Sequence, residues 1–301
     1  MTLPFVSRRR LLTSIGSGTL GALAGCIDDS GASGGTDGSN DTDDANDSTN
    51  ESSGLDRETY AIMEGTEYET DVHVLDAGAG PTGMVLGGVH GNEVGGIEAA
   101  RLVPDYGLSA GRLVVIPEAN APAVETRERE GPDGNLNRQF PVGEEPTTEI
   151  ARALWDELER HDPDCLIDMH TSRGVYRLHS GSVGQAIFPA RTDGSVEDAE
   201  VAAEYANGYL KERLDGDLEG YEFVVIDLEG QDDIAQSDEA DTMLVHKAGA
   251  DLETVGWITE VTYRGLDVDE QRFLHDRLAV RLLAENGLDV ESPLDDGPNP
   301  L

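Results

Sequence analysis

Between Gly87 and Gly96 the chain reads GGVHGNEVGG, which sets His90 and Glu93 three residues apart directly after the apolar run Met84, Val85, Leu86. A second histidine, His170, closes another apolar run, CLIDMH, that begins at Cys165. Two imidazoles and one carboxylate with a fourth position left open are a donor set for catalytic zinc, which acidifies a bound water toward neutral pH. Taken singly, each residue also has a plainer reading. His90 could be a turn histidine among glycines, and His170 a hydrogen-bonded core histidine.

The elements that must carry these side chains are legible as short, mostly apolar runs: MVLGGV from Met84, RLVVIPE from Arg112, CLIDMH from Cys165 and EFVVIDL from Glu222. Such β-branched runs suit strands buried on both faces. Between them lie amphipathic helical patterns. TTEIARALWDELERHD carries Ile150, Leu154 and Leu158 on one stripe, with Thr147 and Thr148 available as caps, and DEQRFLHDRLAVRLLAENG ends at Gly287. Alternating strands and helices predict one α/β domain over residues 58–290, with a mixed, mostly parallel sheet. Ligands bind beyond the carboxyl ends of strands in such sheets, where His90, Glu93 and His170 all fall.

Two further runs, NLNRQFP (Asn135 to Pro141) and ITEVT (Ile258 to Thr262), stand in order around the three donors. The ensemble GGVHGNEVGG, NLNRQFP, DMHTS, ITEVT resembles the succinylglutamate desuccinylase and aspartoacylase family, relatives of the zinc carboxypeptidases. The resemblance runs from about Gly83 to the final helix. It implies a three-layer α/β fold and one zinc ion per chain, held by His90, Glu93 and His170. Glu260 would take a proton from the zinc-activated water and pass it to the leaving nitrogen.

Asn137 and Arg138 would hold a substrate carboxylate, a task that suits the planar guanidinium fork. An upstream arginine would stabilise the oxyanion. Within ETRERE, Arg127 is the expected residue and Arg129 the alternative two residues on. Glu260 also has a structural reading, as a strand carboxylate paired with Arg264. Asp168 shares a strand face with His170 and could orient it or bond to backbone instead.

The implied activity is zinc-dependent hydrolysis of an amide next to a free carboxylate, in an N-acyl amino acid or at a peptide end. Ester hydrolysis and a catalytically inactive zinc-fold surface protein are the alternatives. The chain departs from the family twice. Asn135 stands where an aspartate is usual, and only 41 residues follow Glu260, so no extra C-terminal β domain is expected.

Composition bounds the partners and the compartment. In 301 residues, 61 acids against 21 bases give a formal charge of −40, and Lys211 and Lys247 are the only lysines. Such self-repulsion suits strong salt screening and a halophilic, solvated surface, and it excludes nucleic acid as a partner. SRRRLL (Ser7 to Leu12) before LAGC (Leu23 to Cys26) resembles a twin-arginine lipoprotein signal over residues 1–26. Residues 27–57 are expected to be a disordered acidic linker, and residues 291–301 an acidic tail. A lipid on Cys26 would anchor the protein at the outer face of the cytoplasmic membrane. Cys165 is then left as a small core residue.

Overall fold

The apolar runs form strands because only the centre of a covered sheet hides both faces of a chain from water. The computed structural model describes residues 54–213, 220–228 and 237–294. In chain order it holds β1 (Asp56–Ile62), β2 (Thr70–Asp76), β3 (Thr82–Gly87), α1 (Val94–Leu102), β4 (Gly107–Leu108), β5 (Arg112–Ile116), α2 (Ala121–Thr126) and α3 (Glu149–His161). There follow β6 (Cys165–Ser172), β7 (Ala186–Pro189), α4 (Ser195–Arg213), β8 (Val224–Val225), α5 (Leu244–Leu252), β9 (Val255–Thr262), α6 (Val268–Glu285) and β10 (Val290–Glu291). All eight residues of β6 are buried.

The main sheet has the order β1-β2-β5-β3-β6-β9-β7-β8. Its centre, β5-β3-β6-β9, is parallel, while the β1-β2, β2-β5 and β7-β9 pairs are antiparallel. Alternation along the strands sends Val85, Ile167 and Trp257 to one core with α1, α4 and α6. Met84, Leu86, Leu166 and Ile258 go to the other, with α3 and α5. Helices thus cover both faces, which is the expected three-layer α/β fold with a mixed sheet. The stripe Ile150, Leu154, Leu158 of α3 is fully covered, each side chain contributing about 1.5–3 kcal/mol of hydrophobic stabilisation.

Helix ends follow their local chemistry. Thr148 caps α3 by accepting the Ala151 N–H, and Asp267 with Glu270 forms a reciprocal capping box on α6. Gly287 follows α6 in the left-handed region, φ 79°.

Described structure is present on both sides of the expected limits, residues 58–290. β1 starts at Asp56, before residue 58. Past residue 290, Ser292 donates to Asp276 and Leu294 packs on the core. The expected signal and most of the expected linker, residues 1–53, lie outside the described residues, as do residues 295–301 of the tail. Cys165 is a buried free thiol, pushed up by burial. No helix among the described residues is long and apolar enough to cross a membrane.

Candidate active site

His90 and Glu93 follow β3, and His170 lies on the neighbouring parallel strand β6. In register with β6 is β9, where Glu260 stands opposite His170. Because β3 ends opposite Met169, one residue before His170, these adjacent parallel strands bring all four side chains to one sheet end. The glycines around His90 permit close packing as well as a sharp turn. A Cβ on Gly91 would fall 1.9 Å from the Ala123 carbonyl oxygen, and one on Gly96 would fall 2.4 Å from that of Met169. No side chain fits at either place. Glu93 occupies the N-cap position of α1 but makes no capping bond, because its carboxylate is turned to the site.

Donor atoms of His90, Glu93 and His170 all lie within 4.8 Å of one another, and all three residues are buried. His170 Nδ1 is 2.8 Å from Glu93 Oε2 and 3.1 Å from His90 Nδ1, while His90 Nδ1 is 2.9 Å from Glu93 Oε1. The outer ring nitrogens fix the tautomers. His170 Nε2 is 2.9 Å from Asp168 Oδ2, and His90 Nε2 is 3.0 Å from Asn135 Oδ1. Asn135 Oδ1 also accepts the Asn137 N–H at 3.1 Å, which identifies it as the amide oxygen. Both Nε2 atoms therefore carry the proton, and both Nδ1 lone pairs point inward beside a carboxylate.

Three acceptors facing one another in a buried space repel unless a cation lies among them. This is the chemistry of a metal site, so the residues fit zinc. Without an ion, a proton partly substitutes. Burial opposes charge on His170, yet Asp168 and Glu93 outweigh it and hold its pKa well above the usual histidine range. Burial likewise opposes charge on Glu93, but His90 and His170 keep its carboxyl well below the usual range. The remaining capacity of Glu93 is used by Arg129 Nη1, which donates at 2.6 Å, and by the Thr171 N–H at 3.0 Å.

Glu260 faces the cleft beside these donors. Burial first, then the charge of Glu93, push its carboxyl up to about 8, against the lowering influence of His170 and Arg129. It forms no ion pair with Arg264, which is exposed and bonds through its backbone N–H to Thr262 Oγ1. Asn137 and Arg138 line the same cleft with His90, His170 and Glu260. Asn137 Oδ1 accepts the Leu244 N–H at 3.2 Å, and Arg138 Nη1 donates to the Asn137 carbonyl at 2.7 Å. Arg138 Nε also donates to Glu239 at 2.5 Å.

Of the two arginines, the structure brings Arg129 and not the expected Arg127 to the cleft. Arg127 ends α2 in the left-handed conformation, φ 55°, is exposed, and does not line the cleft. Arg129 does line it and reaches Glu93. Asn135 was legible only as a departure from the family pattern, yet it fixes the orientation of His90.

Of the other histidines and lysines, His179 Nδ1 accepts the Val175 N–H at 3.0 Å. His246 is buried, has no partner among the described residues, and is pushed down to about 4, chiefly by burial. Lys247 is buried too. Its ammonium donates to the carbonyls of Pro141 and Glu144 and to Asp251, holding the loop after Arg138 to α5.

Residues 79–192 match the model of the succinylglutamate desuccinylase/aspartoacylase catalytic domain, the family that the motifs resemble. An N-alpha-acetyl-L-2,4-diaminobutyric acid deacetylase of Halomonas elongata is 35% identical over 135 residues, which cover 43% of this chain and 37% of that protein. Among solved structures, the apo cell shape determinant protein Csd4 of Helicobacter pylori has a TM-score of 0.61 at 18% identity, over 80% of this chain and 56% of that one. The product-bound ectoine utilization protein EutE (DoeB) of Ruegeria pomeroyi has a TM-score of 0.54 at 20% identity, over 82% and 71%. The structural likenesses establish the fold. The matched part is little more than a third of the deacetylase's length and little more than half of Csd4's.

Proposed function

We propose that this chain, whose residues 79–192 carry the succinylglutamate desuccinylase/aspartoacylase catalytic domain, is a zinc-dependent hydrolase of amide bonds next to a free carboxylate. Its substrate is an N-acyl amino acid or a peptide end. The observation that carries this reading is the inward convergence of three acceptor atoms at His90, Glu93 and His170, with Glu260 across the β6-β9 ladder. One zinc ion on the three would supply Lewis acidity and a water acidified toward neutral pH.

The chain's own groups do the rest. Arg138 and Asn137 bind the substrate carboxylate and fix its register. Arg129 offers guanidinium N–H groups to the carbonyl oxygen as negative charge grows there. Glu260 accepts a proton from the attacking water and gives one to the leaving nitrogen. Water adds across the C–N bond, which breaks to a carboxylate and an amine. Asp168 and Asn135 hold the two imidazoles in the tautomer that aims Nδ1 inward, so Asn135 keeps an orienting role despite its departure from the family pattern.

Glu260→Gln tests this. The variant should bind one zinc per chain and lose turnover by at least about a hundred-fold. Full activity in a zinc-replete variant would remove Glu260 from the mechanism. We further propose that residues 1–26 direct export and that Cys26 carries a lipid. Mass spectrometry of the membrane-bound protein should find a modified Cys26 at its N-terminus, and an unmodified or longer start would exclude the anchor.

A further inference from the structure

We propose that the preferred substrate carries one carboxylate and, beside the scissile bond, a neutral apolar group, and that substrates with a second carboxylate are poor. This rests on the amide-hydrolase reading and adds the substrate class. The cleft wall next to Glu260 is apolar by construction. Ile258 lies two residues before Glu260 on β9 and therefore on the same strand face. Phe188 on β7 is the cross-strand partner of Ile258. Met243, at the start of α5, and Leu228, after β8, complete the wall, and all four line the cleft with the polar residues. They are continuous with the core under α3 and α5.

The cleft holds only two arginine or lysine side chains among the described residues, Arg129 and Arg138. Both are already committed. Arg129 is paired with Glu93, and its remaining N–H groups are needed by the carbonyl oxygen. Arg138 is paired on one edge with Glu239, which leaves it able to receive one carboxylate. Outside the described residues, segments 214–219, 229–236 and 295–301 contain no lysine, arginine or histidine, and residues 1–53 contain only Arg8, Arg9 and Arg10, within the expected signal. A second carboxylate would therefore lie unpaired against Ile258, Phe188, Met243 or Leu228, where a charge without a partner binds poorly.

The test is a hydrolysis panel on the zinc-loaded full chain: N-acetyl-leucine, N-acetyl-phenylalanine, N-acetyl-aspartate, N-succinyl-leucine and the carboxylate-free N-acetyl-leucinamide. The expected result is turnover of the first two, about a hundred-fold lower kcat/KM for the two dicarboxylates, and none for the amide. Equal or faster turnover of the dicarboxylates overturns the substrate class but leaves the hydrolase reading standing. If nothing in the panel turns over, the hydrolase reading fails, and calorimetry decides the class separately. Zinc-loaded protein should then bind N-acetyl-leucine more tightly than N-acetyl-aspartate, and the reverse order overturns the inference.

Met243→Lys supplies the missing cation and should raise dicarboxylate kcat/KM relative to N-acetyl-leucine by about ten-fold. Should that variant fail to fold, Met243→Ala should keep the bias against dicarboxylates while moving the preference toward bulkier apolar groups. Loss of the bias in Met243→Ala overturns the inference.

Discussion

Replacing Asp168 by Asn isolates the charge behind His170 without changing the shape of its support. Asp168 is fully buried, its Oδ2 stands 2.9 Å from His170 Nε2, and its Oδ1 has no partner among the described residues. The amide oxygen of an Asn can still accept the Nε2 proton, so the tautomer survives. What is lost is the difference between a charge-assisted and a neutral hydrogen bond, about 1–2 kcal/mol. At 1.4 kcal/mol per factor of ten, the zinc dissociation constant should rise about ten-fold. That sits at the lower end of the 10–100-fold typical when a partner of a metal-bound histidine is removed. The assay is competition with a chromophoric zinc chelator at fixed pH and molar salt, with circular dichroism to verify the fold. A folded variant with an unchanged dissociation constant refutes the claim that Asp168 tunes the donor strength of His170.

The two arginines separate by activity. Arg129→Gln should lower kcat by about a hundred-fold, the scale of a lost oxyanion donor, whereas Arg127→Gln should leave kcat within two-fold; the reverse pattern would restore Arg127 to the site. Glu239→Gln should free the occupied edge of Arg138 and lower KM for an N-acyl amino acid about two- to five-fold with kcat unchanged, since an exposed pair is worth about 0.2–1 kcal/mol. An unchanged or higher KM would mean that Glu239 does not compete with substrate. Glu260 gives a pH signature in zinc-chelated protein. Its folded pKa, about 8, is raised above the ordinary 4.5, so the folded state binds the extra proton between those values and stability falls as pH rises through them. Glu260→Gln should therefore be as stable as the parent near pH 4 and more stable, on the order of 5 kcal/mol, near pH 9. Urea midpoints that fail to diverge with pH would show that the carboxyl is not strained by burial.

Much of the fold was legible because buried parallel strands announce themselves as unbroken apolar runs. β3, β5 and β6 are of this kind. The fourth run, EFVVIDL, was misleading in extent. Phe223, Ile226 and Leu228 are buried, yet only Val224 and Val225 pair in the sheet, at an edge against β7. Side-chain burial and backbone pairing are separate demands, and apolar sequence reports only the first. β1 escaped notice for the opposite reason. As an edge strand it is exposed along Asp56 to Thr59, so its sequence, DRETYAI, carries no core signal. β7 is fully buried but only four residues long and ends at Pro189, too short for a period to show.

The site divides in the same physical way. His90, Glu93, His170 and Glu260 were readable because each is tied to the end of a recognisable strand or to a short motif, and parallel neighbours in register bring such ends together whatever the loops do. The placement of Arg129 depends on a loop. After α2 the chain reverses at Arg127, with the Arg127 N–H bonded to the Val124 carbonyl and the Glu128 N–H to that of Ala123. This turn leaves Arg127 exposed and allows the chain to bring Arg129 back to Glu93. Left-handed residues at helix ends are usually glycine or asparagine, and that is the signal from which a reader would place the turn. Here an arginine takes the left-handed position, so in ETRERE nothing marks which arginine ends the helix and which one enters the cleft.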